Sequence, residues 1–129
     1  MDPVKVLQRA YQDELLDALR AEGAAQGVPY PHVRALLLEV ARRERADAEA
    51  LAEALRRRGA PLPPTPKPEE GGWETLLRLL SEEGLDRAYY LESTFPDPEL
   101  EALFTRLGQE ERLNQEAVRK AVMLIGGGL

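Results

Sequence analysis

The sequence predicts an all-α protein, a bundle of four helices. Three observations predict it. Apolar residues recur at helical spacing through four segments of about 20–27 residues each. Each segment is bounded by Pro, Gly or an Asp-Pro pair, which are helix start and stop signals. No segment shows the strict alternation of a half-buried strand. With 129 residues the chain is long enough for one bundle domain with a sizeable core, spanning 1–129.

Helix one is expected from about Pro3 to Gln26, with Asp2 as N-cap and Pro3 at the first helical position. Its inward seam reads Val4, Leu7, Tyr11, Glu14, Ala18, Ala21, Ala25. The turn 27–31 is short, which makes antiparallel neighbours. Helix two is expected from about His32 to Arg58 and stops at Gly59, followed by Pro61. Its seam is Leu37, Val40, Glu44, Asp47, Leu51, Ala54.

Residues 59–72 carry too much proline for a helix and favour polyproline II. At ~3.1 Å per residue, the twelve residues 60–71 reach roughly 37 Å, close to the ~40 Å of helix two at ~1.5 Å per residue. Such a connection fits a crossover that travels back along the bundle, since a simple up-down-up-down bundle needs only a few residues here. Helix three is expected from about Trp73 to Ser93, with Leu76, Leu77, Leu80, Ala88 and Leu91 inward and Glu83 at the edge of that stripe. Asp97 and Pro98 open helix four, expected from about Glu99 to Leu124, with the seam Leu100, Phe104, Leu107, Glu111, Asn114, Val118, Ala121.

Composition narrows function. A net charge of -6 and a pI near 4.9 argue against a nucleic-acid partner. No apolar run approaches the roughly 18 residues of a membrane span. Charged residues interrupt the first 14 positions, so no signal peptide is expected and the cytoplasm is the expected location. The absence of cysteine excludes disulfides, thiolate catalysis and iron–sulfur clusters. The single histidine, His32, excludes His-rich metal sites.

The chemistry concentrates in acids set within apolar seams. Glu44-Arg45-Ala46-Asp47 is echoed by Glu111-Arg112-Leu113-Asn114, and Asp13-Glu14-Leu15-Leu16-Asp17 by Glu82-Glu83-Gly84-Leu85-Asp86. The offsets are 69 residues from Glu14 to Glu83 and 67 from Glu44 to Glu111, so two helix hairpins repeat in nearly one register. Glu14, Glu44, Glu83 and Glu111 fall near the midpoints of their helices. In crossover packing, mid-helix residues meet at one height. Four carboxylates meeting there repel and lose hydration unless cations, protons or arginines neutralise them.

This arrangement resembles the ferritin-like superfamily, and most closely its rubrerythrin-type short domains, from about Leu7 to Val122. In that family, two helices give one Glu each and two give Glu-x-x-His. The resemblance implies a ferritin-like four-helix bundle of two antiparallel hairpins joined by the Pro-rich crossover. It implies metal ligands at Glu14, Glu44, Glu83 and Glu111, with Glu82 and Asp86 as alternatives on helix three. Both histidines are replaced, by Asp47 and by Asn114. Asp47 can ligate through its carboxylate. Asn114 offers only a weak carbonyl, or else fixes register as a buried amide. Tyr11 is expected near the site. An anionic, oxygen-only set favours Mn, Mg or Ca relative to the family's iron.

The function expected is carboxylate-rich binding of one or two Fe or Mn ions. If the protein is an enzyme, the resemblance implies a rubrerythrin-like oxidoreductase with an external electron donor. It also implies a homodimer. The contrasting expectation is a metal-free bundle that serves as a structural or protein-interaction module.

Overall fold

A computed structural model describes residues 2–67 and 73–126, and the side chains of all of these except 73, 81–84, 86 and 87. The chain is all-α: α1 Pro3–Gln26, α2 Pro31–Arg57, α3 Trp73–Glu92 and α4 Pro98–Gly126, with no strand among the described residues. The expected bounds are met within two residues at every end. No described helix is long and apolar enough to cross a membrane.

The helix ends follow from local chemistry. The Asp2 side chain accepts from the Val4 N–H at 3.0 Å and caps α1, with Pro3 behind it at the first position. The turn into α2 is held by Arg34, whose Nε and Nη2 both donate to the Val28 carbonyl, at 3.2 and 2.8 Å. At the end of α2, Gly59 takes φ 64, the left-handed region. The Ala60 N–H donates to Leu55 O and the Gly59 N–H to Arg56 O, each at 3.0 Å, which is a Schellman motif. Asp97 caps α4 through its Oδ1, 2.9 Å from the Glu99 nitrogen. Its Oδ2 accepts from Arg58 Nη2 at 2.6 Å, so one aspartate ties the end of α2 to the start of α4.

The core has two apolar clusters, and they give the helix directions. One joins Ala21, Ala24 and Ala25 from the end of α1, Val33, Leu37 and Val40 from the start of α2, Leu76 and Leu79 from the start of α3, and Val118 and Ala121 from the end of α4. The other joins Leu7 and Ala10, Leu51 and Leu55, Tyr90, and Leu100, Phe104 and Leu107, from the opposite ends of the same helices. α2 and α3 therefore begin at the same end. α1 packs on α2 and α3, and α4 packs on α3 and α2. The pairs α1/α4 and α2/α3 are diagonal: among the described residues their backbones do not approach closely, and side chains such as Glu14 and Glu111 meet across the middle. The linker starts up the side of α1: Gln8 and Gln12, one turn apart, donate to the carbonyls of Pro61 and Pro64 at 3.0 and 3.3 Å.

On α3 the inward face differs from the expected one. Leu76, Leu79 and Tyr90 are buried, whereas Leu77 is 41% and Leu91 60% exposed, Ala88 is exposed and Leu80 is partly buried. α3 carries two apolar stripes roughly 100° apart on the helix. The stripe that contains 76, 79 and 90 takes the core, because Tyr90 fills it against Phe104 with ring centroids 5.2 Å apart. Position 83 lies seven residues from both Leu76 and Tyr90. The side chains of Glu83 and of its alternatives Glu82 and Asp86, for which a ligand role was expected, lie outside the described residues.

Gly59→Ala places a Cβ in the left-handed region and is expected to cost about 1 kcal/mol. Asp97→Ala removes a cap and is expected to cost about 1 kcal/mol or more. Both are read from urea unfolding midpoints at unchanged m-value, and a change below ~0.3 kcal/mol at either site would contradict the capping role.

Candidate metal centre

Between the two apolar clusters lies a polar layer. Glu14 on α1, Glu44 on α2 and Glu111 on α4 have no solvent exposure at all. One carboxylate oxygen from each lies within 4.8 Å of the others. Helix register explains the convergence: each glutamate occupies the seam position midway along its helix, between apolar turns that are themselves buried. Three of the four glutamates expected from the sequence thus meet; the fourth, Glu83, cannot be placed by its side chain.

The next turn of each helix adds further polar groups, on one side of the layer from α1 and α4 and on the other from the antiparallel α2. Asp17, Asp47 and Asn114 follow the three glutamates at i+3 and are 2%, 2% and 0% exposed. Asp47, expected as a ligand, is not part of the three-glutamate group. It faces α4, where the Glu110 carboxyl comes within hydrogen-bonding reach and Arg106 supplies positive charge, joined more weakly by Arg43 of α2. Asn114 Oδ1 accepts from Arg43 Nε at 2.7 Å, so its carbonyl is already engaged. Asp17 forms a buried pair with Arg20 at 3.6 Å on α1. His32 is exposed at the start of α2. Tyr11 is partly buried against the cluster of Leu7 and Leu51.

Tyr90 takes the role expected of a nearby phenol. Its buried hydroxyl donates to Glu14 Oε1 at 2.5 Å. This bond leaves Glu14 Oε2 with no donor among the described residues. The seven-residue step from 83 to 90 was the available signal for Tyr90. For Asp17, the signal was the recurrence of Glu-x-x-Asp or Glu-x-x-Asn at 14/17, 44/47, 83/86 and 111/114. Nothing in the sequence distinguished Arg43 from the other arginines of α2.

Comparison with protein families, curated proteins and solved structures gave no match. The donor set therefore has to speak for itself. Burial, then the Glu111 carboxyl beside it, pushes the Glu14 carboxyl well above the usual carboxylate range, and the Tyr90 hydroxyl only partly opposes this. Burial, then Glu110, likewise raises Asp47, against Arg106 and Arg43. Three carboxylates at this separation cannot all stay ionised without neutralisation. Either protons are shared among them or a cation sits between them. The oxygens suit a hard or borderline divalent ion.

The raised carboxyls fix the sign of a pH effect in the metal-free protein. The folded chain holds protons on Glu14 and Asp47 above the ordinary values of 4.5 and 3.8. Their contribution to stability is full below those values and is lost as pH rises through the folded ones. Glu22 and Glu39 act oppositely, since hydrogen bonds from Arg45 and Arg42 hold them below 4.5, so they titrate beneath the window of interest. In chelator, the unfolding midpoint is therefore expected to fall between pH 5 and pH 8, by at most about 1.4 kcal/mol per pH unit for each group. A midpoint that rises across this window would contradict the buried-acid geometry. Tyr90→Phe removes a buried donor to a carboxyl group and is expected to cost about 1–3 kcal/mol in the same assay.

Proposed function

We propose that this chain is a ferritin-like four-helix bundle in which Glu14, Glu44 and Glu111 bind a divalent cation, Mn or Fe by preference. The observation that carries the reading is the approach of three fully buried carboxylates within 4.8 Å. The bundle assignment is supported by the common end of α2 and α3, by their diagonal placement without close backbone approach, and by the linker's course beside Gln8 and Gln12. Together these support a reading of two hairpins joined by a crossover. Position 83, in step with Leu76 and Tyr90, is the natural source of a fourth carboxylate.

The protein's own residues would act as follows. The three glutamates hold the ion, and Tyr90 fixes the Glu14 carboxylate by binding one oxygen, so that the other is the one presented. The apolar clusters above and below exclude water. When bound, iron or manganese would supply Lewis acidity and one-electron redox capacity.

A second reading is favoured by the engagement of Asn114 with Arg43 and of Asp47 with Glu110, which occupies both residues that stand at the histidine positions. On this reading the carboxyls share protons, no metal binds, and the bundle is a structural or interaction module.

Titration of chelator-treated protein with Mn2+ and Fe2+ separates the two. The metal reading expects saturable binding and a raised unfolding midpoint, both lost in Glu44→Gln and Glu111→Gln. The metal-free reading expects neither, with Glu44→Leu neutral or stabilising. Less than a tenth of an ion per chain, with no thermal shift at millimolar metal, would sink the first reading.

A further inference from the structure

The polar layer differs in charge on its two sides along the bundle axis. Because α2 runs against α1 and α4, residues that follow Glu14 and Glu111 lie on the same side as those that precede Glu44. That side carries two largely buried guanidinium groups, Arg20 beside Asp17 and Arg43 on Asn114 Oδ1. The other side, toward Leu51, Phe104 and Leu107, carries a pair of carboxyl groups, Asp47 from α2 and Glu110 from α4. Exposure there falls stepwise inward: 29% for the Glu110 side chain, 2% for Asp47, and none for Glu14, Glu44 and Glu111. Asp47 Oδ2 is buried and has no donor among the described residues. Asp47 is also close enough to act electrostatically on Glu14.

A cavity of about 530 Å³, partly open to solvent, lies on this same side in the groove between α2 and α4. Small side chains at Ala50, Ala54 and Ala102 line it. Its lining residues nearest the layer are Ala50 and Arg106, one turn from Asp47 and from Glu110 respectively. Farther out, Arg57 and Arg58 are engaged by Glu53 and Asp97, at 3.4 and 2.6 Å. Arg106 is exposed and meets Glu110 only at 3.9 Å, an ion pair weak enough for another cation to displace.

We propose that a divalent cation reaches the three glutamates from this groove, with Glu110 and then Asp47 as points of capture and Arg106 as the group it displaces. A cleft with low-dielectric walls draws in ions where charge of one sign faces solvent. Each carboxylate on the way replaces water that the ion must shed. On the opposite side the guanidinium groups stay protonated and keep positive charge in an ion's path. The inference rests on the reading of Glu14, Glu44 and Glu111 as a cation site, and adds how the ion arrives there. A residue on the route changes uptake and release by the same factor and leaves affinity unchanged, whereas a ligand changes affinity.

The test follows Mn2+ uptake by the chelator-treated full chain, read as loss of the free-ion paramagnetic resonance signal after rapid mixing, and Mn2+ release into excess chelator. The wild type is compared with Glu110→Gln, Asp47→Asn, Arg106→Gln and Glu116→Gln, the last of which removes a carboxylate from α4 on the far side of the layer. Uptake is expected to slow about tenfold in Glu110→Gln and Asp47→Asn, and to quicken about threefold in Arg106→Gln. In Glu110→Gln release is expected to slow by the same factor, with stoichiometry and affinity unchanged. Glu116→Gln is expected to match the wild type. If Asp47→Asn does not fold, Glu110→Gln and Arg106→Gln decide the matter, since neither side chain is buried. Uptake in Glu110→Gln equal to that in Glu116→Gln overturns the route and leaves the three-glutamate reading standing. Unchanged uptake with faster release in Glu110→Gln also overturns it, because Glu110 then acts as a ligand. A wild type that binds no Mn2+ refutes the three-glutamate reading and the route together.

Discussion

Three carboxyl groups packed within 4.8 Å in a solvent-inaccessible layer set the terms for the rest of this molecule. Such a cluster is unstable by itself, because each acid loses hydration and meets like neighbours. It persists only because long helices hold it from both sides. Above it lies a cluster rich in Ala and Val, and below it one rich in Leu and aromatic residues. Both draw on all four helices. The aromatic cluster also reaches into the layer, since Tyr90 packs edge-on against Phe104 while its hydroxyl binds Glu14. Core packing and site geometry therefore share one residue.

Much of the fold was legible in the chain. Asp2-Pro3, Gly59 and Asp97-Pro98 marked helix ends that the structure reproduces within two residues, because capping depends on local chemistry. The convergence of Glu14, Glu44 and Glu111 was legible because midpoints of packed helices meet. The inward face of α3 was not. Leu77 and Leu91 are as apolar as Leu76 and Leu79, and periodicity could not choose between two stripes on one helix. Tertiary packing made the choice. Asp47 shows a similar limit: its depth was legible, but its orientation toward Glu110 depends on the rotation of α2 against α4.

The layer uses different means of balancing charge at neighbouring points. Asp17 meets Arg20 on its own helix, Asn114 meets Arg43 from another, and Glu14 meets a phenol. The i+3 positions, where imidazoles would make a site with nitrogen ligands, are thus served by guanidinium and carboxyl partners.

The division of the core into two clusters has a consequence for how the chain can be assembled. Neither hairpin owns a complete hydrophobic interior, because each cluster needs the ends of all four helices. A hairpin by itself exposes its half of both clusters along with buried acids. The described part of the proline-rich segment is tied to α1 by the hydrogen bonds of Gln8 and Gln12. Cutting the chain there would leave two pieces that are each poorly folded yet mutually complementary. Their association would form both clusters at once, so order in either piece depends on the presence of the other.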